Sequence, residues 1–214
     1  MEEKHKHNPD SVQETLHGWY RFRFRLIFEG ALVGIATGFV IVAYRMMLNL
    51  VVKSGGQFLN RVHQDPHLAA IYLLMILSLA FVVKKIIAYE PLVKGSGIPQ
   101  VEGYLQNIIH MNWLKVLLLK FTGGLMSIGA GLSLGREGPS IQLGAAVGKG
   151  ISQLLHRKKI EERFLVTGGA SAGLAAAFNA PLAGVMFALE EVHKNFAPMV
   201  LASALVAAVS ADFI

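Results

Sequence analysis

In this chain of 214 residues 53% are hydrophobic and only 16% charged, against roughly a quarter charged in soluble domains; a soluble helical core of this composition would have to hide nearly all of itself. The net charge of +6 sits in basic residues beside apolar runs, which membrane helices explain without nucleic acid. The absence of cysteine excludes a disulfide framework, a thiolate nucleophile and a cysteine metal site.

Residues 1–18 are polar and read as a cytoplasmic arm. Aromatic and basic side chains alternate over 19–25, as in an interfacial anchor, so residues 1–24 are set apart from a membrane core at 25–214. The first apolar run, 26–52, is broken only by Glu29 and Arg45. It exceeds the roughly 20 helical residues that cross a hydrocarbon core of about 30 Å, and it is too long and too far from the N-terminus for a signal peptide. Arg21, Arg23 and Arg25 precede it and place the N-terminus in the cytoplasm by the positive-inside rule. Gly30, Gly34 and Gly38 line one helix face, which allows close backbone approach; a contact within one subunit is expected rather than one between subunits. Residues 54–65 read as a loop, and Pro66 introduces a second span, 68–83, lengthened if Lys84 and Lys85 snorkel. His63 and His67 have helical ligand spacing, but Pro66 interrupts them and two histidines do not close a site, so no metal is expected.

Beyond Tyr89 the pattern is less regular. A third run covers 113–134, and further apolar stretches cover 141–155, 164–189 and 196–214. They are cut by Gly95, Gly97 and Pro99, by 135–139, by Gly168 and Gly169, and by Asn179 and Pro181. Transporters use broken hydrophobic helices to place helix ends at membrane depth, and such backbone survives only inside protein or beside a watery cavity. The run of small residues over 168–177 implies a helix crowded on every side.

Two glycine turns carry the chemistry. In Gly95-Ser96-Gly97-Ile98-Pro99 the glycines allow positive φ, Ser96 can cap, and proline suits the first helical turn. The amides of the short helix that follows, with the Ser96 hydroxyl, could hold an anion. In Gly135-Arg136-Glu137-Gly138-Pro139 backbone donors and a positive helix end again converge. Glu137 beside them could occupy the place of an inorganic anion and leave it on protonation. A plain cap at Ser96 and a capping carboxylate in an interfacial loop at Glu137 are the structural alternatives. At Glu190-Glu191 a solvated surface is the better reading for Glu190, whereas an inward acid there would offer protons an entry point. Residues 144–150 lack the spacing and terminal Ser or Thr of a nucleotide loop, and no catalytic dyad suggests an enzyme.

These motifs, with Gly-Ala-Ser-Ala-Gly-Leu-Ala-Ala-Ala-Phe-Asn-Ala-Pro-Leu-Ala-Gly over 169–184, resemble the N-terminal half of the CLC family of chloride channels and chloride/proton antiporters, prokaryotic type. The resemblance runs from about Arg25 to the end. It implies an all-α integral membrane protein, the first repeat of an inverted-repeat core with broken and tilted helices. By resemblance, Ser96, Gly97 and Ile98 with Arg136, Glu137 and Gly138 surround chloride, Glu137 is the gate, and Glu191 is the inner proton-transfer acid. Chloride and protons are the transported ions and no cofactor is implied. The expected partners are the lipid bilayer, a C-terminal half carrying the second repeat, which these residues do not contain, and a second copy in a homodimer, with residues 161–193 near the dimer surface. The resemblance implies a multi-pass protein of the cell membrane, the inner membrane in a Gram-negative source. Chloride/proton exchange by the completed core is the leading functional expectation. A passive chloride channel and a nonconducting fragment that needs its second half are the alternatives.

Overall fold

A computed structural model describes residues 9–65, 67–194 and 196–214, with side chains from Phe24 onward except those of residues 63 and 64. The basic side chains of Arg21 and Arg23, and the segment 1–8 of the expected arm, therefore lie outside the described residues. Among the described residues the chain is all helical: α1 (Pro9–Gln64), α2 (His67–Tyr89), a 3₁₀ turn (Pro91–Val93), α3 (Ile98–Leu105), α4 (Trp113–Gly129), α5 (Glu137–Leu154), α6 (Lys159–Phe178), α7 (Pro181–Phe187), a π-helical turn (Ala188–His193) and α8 (Pro198–Asp212).

Two of these helices are long and apolar enough to cross a membrane, α1 over Phe24–Val62 and α2. No residue of α2 is buried within the chain, and Leu74 and Phe81 on it are 67% and 60% exposed. A helix this apolar with no buried side needs lipid or another chain around it, not water.

The centre of the fold is α6. Its residues 165–177 are buried without exception, enclosed by α5, α8, α1 and α7. The crowded helix expected from the small residues is this one. Gly168 and Gly169 do not cut it, contrary to expectation, because here glycine serves contact and not chain reversal. A Cβ on Gly144 of α5 would strike the Gly169 carbonyl, and one on Gly169 would strike that of Gly144. The break falls where Asn179 adopts a left-handed conformation (φ 55°) before Pro181, as the sequence predicts.

The Gly30, Gly34 and Gly38 face lies against α8 of the same chain, where added Cβ atoms would meet the carbonyls of Ser203, Ala207 and Ala211. The expected loop at 54–65 is instead the last three turns of α1, which continues to Gln64. Gly55 and Gly56 lower helix propensity, yet no proline interrupts the ladder before residue 66, and Gly55 packs near the Gly129 carbonyl of α4. At the other end the helix already begins at Pro9, within the expected arm. The third run ends early, at Gly129, with Gly131 at φ 88° reversing the chain.

One end of the bundle is held by charge. Glu29, 2% exposed, pairs with Arg157 and Arg25, and Arg25 also pairs with Glu161. This network brings the basic turn at 157–159 beside the start of the first span.

Candidate functional site

The two glycine turns meet. A Cβ placed on Gly138 would lie 2.6 Å from the Ser96 carbonyl oxygen and 2.8 Å from the Ser96 Cβ, so the turns touch at a position where only glycine fits. They open onto a cavity of about 660 Å³ whose lining includes Ser96, Ile98, Glu137, Gly138 and Lys120. Ser96 and Glu137 are exposed at its wall, whereas Gly138 is buried.

Each turn starts a helix. Gly97 (φ 101°) is the N-cap of α3, one residue later than the cap expected at Ser96, because the left-handed backbone falls on the glycine. The Ser96 hydroxyl accepts from the Ile98 amide at 3.4 Å, a weak bond that leaves the oxygen available. Pro99 follows in the first turn of α3. In the second turn Arg136 is the N-cap of α5 and Glu137 its first residue, so the carboxylate sits at the positive end of an 18-residue helix, where negative charge is favoured. Of the expected anion residues, the cavity brings together Ser96, Ile98, Glu137 and Gly138; buried Gly97 and exposed Arg136 are not in its lining.

Glu191 is elsewhere, exposed on the π-helical turn after α7. Phe187, one helical turn before it, lines the same cavity. Single π turns frequently mark functional sites. The end of this turn is tied to α3 by an ion pair between Lys194 and Glu102. Lys194, by hydrogen bond and charge, holds the Glu102 carboxyl below its usual range, while Glu102 raises Lys194.

A sequence model described as voltage gated chloride channel matches residues 75–214. The chain belongs to that family. Relatives named H(+)/Cl(-) exchange transporter ClcA are similar along most of it: that of Vibrio vulnificus strain YJ016 is 39% identical over 176 residues, which cover 80% of this chain and 37% of the relative. That of Citrobacter koseri is 35% identical over 186 residues, covering 80% and 37%. A solved structure described as a slow cyanobacterial Cl-/H+ antiporter superposes with a TM-score of 0.78 at 34% identity, over 88% of this chain and 45% of that one. A eukaryotic CLC transporter shares the fold, with a TM-score of 0.74 at 21% identity, over 91% of this chain and 38% of that one. The chain thus spans less than half the length of the relatives it matches.

Two residues escape the motif reading. Lys120, 4% exposed on α4, donates to the carbonyls of Val93 at 3.1 Å and Gly95 at 2.7 Å. Gln142, fully buried on α5, donates to the Leu92 carbonyl at 2.8 Å. The run 113–134 holds two lysines, Lys115 at its start and Lys120 further in, and the inner one was the available signal, since an ionisable residue at membrane depth is a site candidate by default.

Proposed function

We propose that this chain supplies the gate and one wall of a chloride pathway, and that the completed assembly exchanges chloride for protons. The observation that carries the reading is the contact of Gly138 with Ser96, which joins two helix N-termini, a hydroxyl and a carboxylate at one cavity. Ser96, Gly97, Ile98, Arg136 and Gly138 form the chloride cradle through hydroxyl, amides and helix ends. Glu137 competes with chloride when ionised and withdraws when protonated, which links anion movement to proton movement. Glu191 passes protons at the opposite end of the route, one helical turn beyond Phe187 of the cavity lining.

The protein is multi-pass, with its N-terminus in the cytoplasm. Arg25 and the basic turn at 157–159 gather at one end of the bundle through Glu29 and Glu161, as the positive-inside rule requires of the cytoplasmic end. A second copy docks along residues 161–193, where Leu182 and Met186 leave apolar surface open although α6 itself is enclosed. A chain completing the remaining length of the relatives closes the cavity.

The test is chloride efflux with simultaneous pH recording from liposomes that hold this chain alone or together with the remaining part of a ClcA relative. Chloride movement that drives protons uphill, with coupling lost in Glu137→Ala, supports exchange. Chloride movement without uphill protons would make the assembly a passive channel. Flux unaffected by Glu137→Ala would remove the carboxylate from the mechanism.

A further inference from the structure

The turn that carries Ser96 has an unusual set of partners. Its four preceding carbonyls, those of Leu92, Val93, Lys94 and Gly95, are all taken by side chains: Gln142, Lys120, Gln100 (to Lys94 at 2.8 Å) and Lys120 again. Carbonyl oxygens pointed at an anion repel it, so a turn that serves an anion must have its carbonyls turned away and held there. These side chains do that from three different helices. Two of them are buried, Lys120 at 4% and Gln142 at 0% exposure, and among the described residues Lys120 is the sole basic one in the lining of the cavity that Ser96 and Glu137 share.

A buried ammonium is costly to desolvate even after relaxation, and neutral ties to the same carbonyls would cost less. Gln142 adds a mechanical link. It lies on the helix that begins at Glu137, its Nε2 grips Leu92, and its Oε1 has no hydrogen-bond partner. That oxygen lies where a Cβ on Gly97 would come within 2.5 Å. The gate helix and the serine turn are therefore one mechanical unit.

We infer that Lys120 and Gln142 are positioning residues of the anion site, and that the charge of Lys120 gives the cavity its preference for anions. This rests on the reading of the cavity as an anion site.

The cysteine-free chain allows a direct test. Ser96→Cys in the full 214-residue chain, reconstituted in liposomes, places one thiol at the cavity wall. Its reaction rates with an anionic and a cationic methanethiosulfonate of similar size are compared, each relative to a small free thiol. The expected result is a preference for the anionic reagent that chloride suppresses. Lys120→Met lowers the anionic-to-cationic ratio by at least about tenfold, as removal of a unit charge within several ångströms at an effective dielectric near 20 requires. Lys120→Arg keeps the ratio. Gln142→Leu keeps it too, but weakens the chloride protection. Lys120→Gln, which retains a donor and loses the charge, follows Lys120→Met and replaces it if the methionine variant does not fold. A parent chain that prefers anions and passes that preference undiminished to both neutral variants overturns the inference alone. A parent chain without anion preference or chloride protection overturns the anion-site reading and the inference with it.

Discussion

Gly138→Ala isolates the contact on which the site depends. The new methyl would stand 2.6 Å from the Ser96 carbonyl oxygen and 2.8 Å from the Ser96 Cβ, whereas unstrained contacts of these atoms begin near 3.4 Å. Something must move by most of an ångström. The obstructing atoms are backbone and Cβ, so no side-chain tip can swing aside, and the turn is pinned from behind by Lys120 and Gln142. Overpacking of this kind costs about 1–3 kcal/mol, which for a chain of this size lowers Tm by roughly 2–12 °C. Displacement of the serine turn should also weaken chloride interaction more than stability alone explains. The control is Gly135→Ala in the same motif, where nothing lies within 4 Å of the added Cβ. Thermal melts of both variants in the same detergent, with and without chloride, provide the measurement. If Gly138→Ala melts like Gly135→Ala and responds equally to chloride, the two turns do not bear on each other as described.

Gly144→Ala should open the crossing of α5 and α6 by driving a methyl into the Gly169 carbonyl, costing about 1–3 kcal/mol; Gly56→Ala, with free space around it, should leave the melt unchanged or slightly raised, and equal behaviour of the pair would refute the packing account. Arg45 donates to the Ala176 carbonyl at 2.9 Å and to Asn179 Oδ1 at 3.1 Å, thereby closing the end of α6. Arg45→Met should cost about 1–2 kcal/mol, seen as a fall in Tm of roughly 2–8 °C; no fall would mean the cap is idle. The Glu102 tie to Lys194 is an exposed pair whose carboxyl is depressed, so its contribution is present above the ordinary carboxylate pKa of 4.5 and disappears as pH falls through the lower value of the folded chain. Carbonyl NMR of labelled Glu102 should show its midpoint rising in Lys194→Ala; a midpoint that stays put would dissociate the two groups.

Much of this arrangement was legible from residue order because the relevant signals are local. Pro99 and Pro139 announce helix starts, Asn179 with Pro181 announces a break, and alanine and glycine packed into 168–177 announce a crowded helix. Glycine itself is ambiguous, which explains where expectation and structure part. At Gly97 and Gly131 it provides positive φ, whereas at Gly168, Gly169, Gly55 and Gly56 it lies within continuous helix. Only the neighbour across the gap distinguishes the two uses, and that neighbour can be distant in sequence, as Gly144 is from Gly169. The roles of Lys120 and Gln142 were hidden for the same reason. Their partners are backbone carbonyls 27 and 50 residues away, atoms every residue possesses and no pattern marks.

The pairing of α1 with α8 has a consequence for how the chain is made. Gly30 rests on Ser203, about 170 residues later. At a synthesis rate of roughly 5–20 residues per second, the first helix waits about 10–35 s in the membrane before its mate emerges. Throughout that interval its smooth glycine strip faces lipid or a surrogate, and a second nascent copy offering the same strip could fill it. Assembly of the first helix with the last is thus a race between the ribosome and every small-faced helix nearby, and slowing translation between the two would favour the wrong winner.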